Sequence, residues 1–218
     1  LSGRSHATGK LVSSLIHPTE IPEIQFNFDR FIENNNKKIV QIGWWLRKLT
    51  SIYQLTIPQS NSLNYTKIRL VPIFGDNARE LLNNNIQKES DICAIEKEPL
   101  FWENTQEIEQ LNNEEYDRLL SKNIAFVELY DSSANNAIIE CIARATPLLI
   151  NPLPAIVEYL GEDYPFYFTS LAEAAEKALD TSLILDTHNY LKNCEMRNKL
   201  SADYFLHSFK NSEVYRSI

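Results

Sequence analysis

Glu140 stands two turns into a helix predicted over residues 134–145, four residues after Asn136 and four before Arg144. That spacing lines the three polar side chains along one face. Ala137, Ile138, Cys141, Ile142 and Ala145 form an apolar stripe on another. Asp131, Ser132 and Ser133 precede the helix as cap residues, and Asn135 and Asn136 open it with amides that can cap backbone groups or meet a ligand. A polar loop that leaves a buried strand and opens a helix presents unpaired N–H groups and the positive end of the helix dipole. Phosphorylated ligands bind in such places. The plainer reading is a solvated face on which Glu140 and Arg144 form a surface pair worth about 0.2–0.5 kcal/mol.

The elements that must position these residues alternate along the chain. Strands are expected at 37–43, 67–75, 105–111, 124–130, 147–151 and, briefly, 166–168. Helices are expected at 76–87 with Asp76 as N-cap, 113–122 starting at Asn113 and Tyr116, 134–145, 154–160 and 170–179. Residues 186–210 read as mostly helical, and 88–104 as irregular. Gly43 and Gly75 stand directly after strands, where tight turns need them. Strands alternating with helices at this interval predict an α/β fold, a parallel sheet covered by helices on both faces. Ahead of it, Lys10 to Ile16 reads as a short strand and residues 20–36 as a connector ending in three asparagines. The Gly-Lys pair at 9–10 is not a phosphate loop. Its spacing from Gly3 is one residue too long, Leu11 replaces the hydroxyl residue, and no strand precedes it.

Composition narrows the function classes. The chain has 218 residues, 44% hydrophobic and 23% charged, and a formal net charge of −8. The charge argues against general nucleic-acid binding or a polybasic membrane surface, though not against a local basic pocket. Three cysteines, Cys93, Cys141 and Cys194, are odd in number and far apart, as suits reduced thiols in a cytoplasmic setting. The four histidines show no metal-ligand spacing. No apolar run reaches the length of a membrane span. Met196 is the only methionine, so the chain is expected to be a fragment, a processed form or a trimmed product.

The run DSSANNAIIECIARATPLLINPLPAIVEYLG resembles the donor-binding half of GT-B glycosyltransferases, nearest the retaining group with a Glu-x7-Glu motif. There, a strand, a loop and a helix carry the second glutamate, and Thr-Pro leads into the next strand, as Thr146-Pro147 does here. Glu140 matches that second glutamate, which in such enzymes holds the ribose hydroxyls of the sugar nucleotide. Ser132 stands where the first would be. KKIVQIGWWLRK resembles the first donor-domain strand, with Trp44 in place of the expected arginine and Arg47 and Lys48 as the nearest cations. A nucleoside diphosphate leaving group needs its developing charge stabilised, and a guanidinium suits that task. The plainer reading of Arg47 and Lys48 is a pair of solvent-facing residues at a helix start.

The resemblance therefore implies a Rossmann-like sheet, one half of a GT-B architecture. Residues 1–36 would be the end of an acceptor domain and the interdomain linker, 37–185 the donor domain, and 186–218 a C-terminal helical segment. Its donor-binding set would be Glu140, Arg47, Lys48, Ser132, Ser133, Asn135 and Asn136, with no metal and no cofactor beyond the nucleotide-sugar donor. No residue is assigned to the bond-breaking step. The partner would be a missing or truncated N-terminal acceptor domain. The rival reading is a non-catalytic doubly wound interaction module or a degenerate transferase domain, motivated by Ser132 and Trp44. A third is a sugar-nucleotide epimerase of the same architecture. Trp44 and Trp45 read as packing residues before a base-stacking platform, Glu158 as a surface residue, and Tyr164–Phe168 as core. His17 reads as a turn residue before a cleft residue.

Overall fold

The computed structural model describes residues 12–58, 63–71, 77–92, 105–109, 111–131 and 136–217. Five strands form one parallel sheet: β1 (Lys37–Gln41), β2 (Tyr65–Val71), β3 (Thr105–Glu109), β4 (Ile124–Val127) and β5 (Leu148–Ile150). Their order is β3-β2-β1-β4-β5. β4 and β5 are buried along their whole length, as strands covered on both faces must be.

Helices α1 (Phe28–Glu33), α2 (Ser51–Gln54), α3 (Ala78–Ile92), α4 (Asn113–Leu120) and α5 (Asn136–Arg144) come first in the chain. After them run α6 (Pro154–Leu160), α7 (Leu171–Leu179), α8 (Thr181–Asn193), α9 (Glu195–Lys199), α10 (Ala202–Asn211) and α11 (Glu213–Arg216). Side chains alternate across the sheet, so Arg69 and Glu107, which are register partners, face one side and their neighbours Leu70 and Ile108 the other. Tyr53 of α2 meets Arg69, and Arg79 of α3 meets Glu107, on the first side. α4 covers the second side, where Tyr116 lines a cavity with Leu70 and Ile108. α5 joins it there through the Arg144–Asp117 ion pair.

Several boundaries differ from expectation for tertiary reasons. α3 continues to Ile92 through residues expected to be irregular. Glu89 anchors that last turn, because its buried carboxylate accepts from the N–H groups of Leu49 and Thr50, at 2.8 and 3.0 Å, and from the Thr50 hydroxyl. Residues 12–16 form no strand, and part of the expected connector folds into α1, capped by Asn27 Oδ1 on the N–H of Arg30 at 2.9 Å. An extended stretch becomes a strand only where a neighbour offers its backbone groups. α4 starts at Asn113 as expected, behind a capping box between Asn112 and Glu115, and ends at Leu120, two residues short of the expected range. The expected 166–168 strand is reduced to a single bridge, Ile150 to Tyr167. The last helical stretch begins at Thr181. Gly75, Asp76 and Cys93 lie outside the described residues.

α5, which carries Glu140, is held firmly at its C-terminus. Ala145 adopts φ +52°, and the N–H groups of Ala145 and Thr146 return to the carbonyls of Ile142 and Cys141 at 3.1 and 2.9 Å. This is a Schellman motif. The next three carbonyls are met from elsewhere: Ala143 by Arg197 at 3.2 Å, Arg144 by the N–H of Phe26 at 2.9 Å, and Ala145 by His188 Nδ1 at 2.8 Å. The carbonyl can only accept, so Nδ1 carries the proton.

Burial holds the His188 imidazole below its usual value of 6.5, the Ala145 bond only partly offsetting this. At pH below 6.5 the unfolded chain takes up a proton that the folded chain resists. His188 therefore contributes stability above pH 6.5, and loses it as pH falls from there through the lowered folded value. Urea unfolding at pH 7.5 and 5.5 should show a loss of stability that shrinks in His188→Gln. An equal loss in both proteins would refute the assignment.

Candidate functional site

The connection after β1 is pinned onto the segment leaving β4. Arg47 and Leu129 form an antiparallel bridge, the Lys48 N–H donates to Glu128 O at 2.8 Å, and the Tyr130 N–H donates to Leu46 O at 3.1 Å. Gln41 adds a side-chain bond to Lys48 O at 3.2 Å. β1 and β4 are adjacent strands whose following helices cover opposite faces. That makes their C-terminal ends the switch point of the sheet, where open α/β folds form ligand crevices.

Gly43 has a structural reason to be glycine. Its φ is +78°, and a Cβ there would lie 2.9 Å from Arg47 Nη2. The Arg47 guanidinium folds over Gly43, donating from Nε to Ile42 O at 3.2 Å and from Nη1 to Trp45 O at 2.6 Å. Burial pulls this guanidinium below its usual value, while the nearby Glu140 charge and the Tyr116 phenol pull the other way. An arginine stays charged under such a shift. Arg47 and Glu140 are thus electrostatic neighbours. Lys48 is directed differently. Its ammonium lies 2.6 Å from Glu128 Oε1 and 5.9 Å from the Tyr130 ring centroid.

Glu140 is half-buried, and its Oε2 accepts from the Tyr116 hydroxyl at 2.6 Å. The surface pair of the plainer sequence reading does not form. Arg144 turns its Nε and Nη2 to Asp117 Oδ1 at 2.7 and 2.6 Å, and donates from Nη1 to the Glu140 backbone carbonyl at 3.1 Å. The reason is burial: the Arg144 and Asp117 side chains are only 12% and 14% exposed, so each charge needs a close partner. Asn136 is exposed as the first residue of α5. Ser132, Ser133 and Asn135 lie outside the described residues.

Tyr116 also lines a cavity of about 590 Å³ at the C-terminal ends of β2 and β3, with Leu70, Val71, Ile108, Leu111 and Glu115. One phenol therefore joins a hollow of mixed polar and apolar lining to the Glu140 carboxylate. Sequence reasoning treated Tyr116 as a helix-start residue and left Glu128 unassigned. Both contacts are long-range pairings with no local signal. Trp44 packs beside Leu49, Val71, Leu82 and Ile86, whereas Trp45 is 66% exposed and departs from its packing reading. Glu158 and His17 are exposed, and Tyr164, Phe166 and Phe168 are core. Among the described residues no group of three or more His, Cys, Asp or Glu is placed to hold a metal ion, and no helix is long and apolar enough to cross a membrane.

No protein-family profile and no curated protein matches this sequence. Solved structures do match in three dimensions. WaaG, a glycosyltransferase involved in lipopolysaccharide biosynthesis, aligns with a TM-score of 0.55 at 14% identity, over 93% of this chain and 56% of that one. The fold matches one half of a GT-B glycosyltransferase. A glycosyltransferase from Rickettsia africae ESF-5 aligns at TM-score 0.54 and 16% identity, over 89% of this chain and 56% of its own. The α,α-trehalose 6-phosphate synthase of Burkholderia multivorans aligns at 0.53 and 11%, over 85% and 48%. The chain thus spans about half the length of the GT-B proteins it resembles, and at these identities the likeness establishes the fold alone.

Proposed function

We propose that this chain is the donor-binding half of a glycosyltransferase that uses a nucleotide-activated sugar. The observation that carries the reading is the convergence of Glu140 from α5, Tyr116 from α4 and Arg47 from the β1 connection at the switch point of the sheet, beside the 590 Å³ cavity. In this reading the nucleotide base enters the cavity and Glu140 accepts hydrogen bonds from the ribose hydroxyls. The diphosphate lies between Arg47 and the start of α5, where Asn136 and the preceding Ser132, Ser133 and Asn135 would offer donors. Bond breaking at the sugar leaves negative charge on that diphosphate, and the fixed guanidinium and N–H dipoles stabilise it as it develops. Lys48, already paired with Glu128, would act as a more distant charge. The acceptor would come from the other half of a GT-B architecture, and the stereochemical outcome follows the retaining group only by resemblance.

A second reading, a degenerate domain with no catalysis, is favoured by one observation. The Arg47 guanidinium is turned onto the carbonyls of its own connection. Thermal unfolding with UDP, GDP, ADP, CDP and dTDP separates the two. A ligand present at 100 times its Kd stabilises by about 2.7 kcal/mol. For a chain of this size that raises Tm by about 5–10 °C. A flat response to all five, with no heat in titration calorimetry, would favour the non-catalytic module and end the donor-binding reading.

A further inference from the structure

We infer that Tyr116 is the positioning residue that aims Glu140, and through it sets the preference for nucleotides carrying both ribose hydroxyls. This rests on the reading of Glu140 as the ribose ligand. A glutamate side chain on a helix surface has several rotamers open to it, and freezing one costs conformational entropy. A carboxylate that must meet two vicinal hydroxyls at once gains most if that cost is met before the ligand arrives. The Tyr116 hydroxyl does this by donating to Oε2 at 2.6 Å.

Tyr116 is itself held. The Arg144 guanidinium lies 5.1 Å from its ring centroid, and Asp117 and the Glu140 carbonyl fix that guanidinium. The four residues close a circuit between α4 and α5. Tyr116 and Asp117 are neighbours on one helix, and Glu140 and Arg144 lie one turn apart on the other. Movement of the carboxylate would break its bond to the Tyr116 hydroxyl, whose ring the Arg144–Asp117 pair keeps in place. The circuit also leaves acceptor capacity for a ligand. A carboxylate has about four lone-pair sites, of which the phenol uses one. Among the described residues no hydrogen bond reaches Oε1. The phenol stays a donor across the neutral range, because burial and the Glu140 charge hold its pKa well above the usual 10.0.

Tyr116 has a second role as a wall of the cavity, and the experiment must separate the two. Tyr116→Phe removes the hydroxyl and keeps the ring, so the wall and the Arg144 contact survive. Calorimetric titration compares the tightest binder among UDP, GDP and ADP with its 2′,3′-dideoxy counterpart. The proteins are the unaltered chain, Tyr116→Phe, Glu140→Ala and the double variant. In the unaltered chain the hydroxylated nucleotide should bind more tightly by about 100-fold, the worth of two hydrogen bonds to a charged group. Tyr116→Phe should cut that preference by about tenfold while moving the dideoxy Kd less than twofold. In the Glu140→Ala background the tyrosine change should alter neither value. Equal weakening of both nucleotides by Tyr116→Phe would reduce Tyr116 to a cavity wall, and an unchanged preference would remove any role; either result overturns the inference while leaving Glu140 in place. If the unaltered chain binds both nucleotides equally, or binds none, the ribose reading of Glu140 fails and this inference fails with it.

Discussion

Glu140→Ala is expected to weaken nucleoside diphosphate binding by about 100-fold, as two charge-assisted hydrogen bonds of about 1.5 kcal/mol each are lost. At a concentration 100 times the original Kd, the variant would sit near its own Kd, and the stabilisation by ligand would fall from about 2.7 to about 0.4 kcal/mol. The thermal shift should then drop from about 5–10 °C to about 1 °C. Glu140→Gln keeps one acceptor oxygen and should fall between the two. The comparison must use the shift on adding nucleotide rather than the absolute Tm. Removing the carboxylate also strips the Tyr116 hydroxyl of its acceptor, which has its own cost in the empty protein. A variant shift equal to that of the unaltered chain would sink the assignment of Glu140. The measurement does not depend on turnover, so it is informative for this chain whatever the other half of the architecture supplies.

The second large effect lies in the sheet beneath the site. Arg69, 2% exposed on β2, places its guanidinium 3.1 Å from Glu107 on β3 and donates to the Tyr53 hydroxyl. Glu107 also takes Arg79 of α3 at 3.0 Å and the Tyr53 hydroxyl at 3.2 Å. Glu107→Ala leaves a buried guanidinium with one neutral partner and should destabilise the fold by about 3 kcal/mol. Glu109 contacts the same Arg79, but both side chains are about half-exposed, and Glu109→Ala should cost less than about 1 kcal/mol. Urea unfolding of the two variants checks this directly, and comparable losses would contradict it. Replacing Arg69 and Glu107 together by Met and Leu should recover most of the stability, since no buried charge then remains.

Much of the fold was legible because its signals are local. The apolar runs around Ile39, Phe126 and Leu149 are short and continuous, and the helices between them carry clear stripes, so a parallel α/β sheet followed. The range of α6, residues 154–160, was read as it stands because Pro154 opens the helix and Gly161 follows it. Boundaries failed where a distant group decided them. Glu89 extends α3 because it binds the start of α2, whereas α4 starts where it was expected because its Asn112–Glu115 box is local. The polar face of α5 was read correctly as a face, but its partners were not. Arg144 sits one turn from Glu140 and nevertheless binds Asp117, because both charges are buried between α4 and α5.

By itself, the sequence determined the layered α/β class, the helix that bears Glu140 and the apolar stripe that docks it, all properties of spacing within a dozen residues. The tertiary structure alone decided that Arg47 lies within electrostatic reach of Glu140, that Glu128 occupies Lys48, and that a tyrosine from another helix holds the carboxylate beside a cavity. Those pairings depend on strand order and on which charges become buried. Water is excluded, and a partner chosen, only once the layers close.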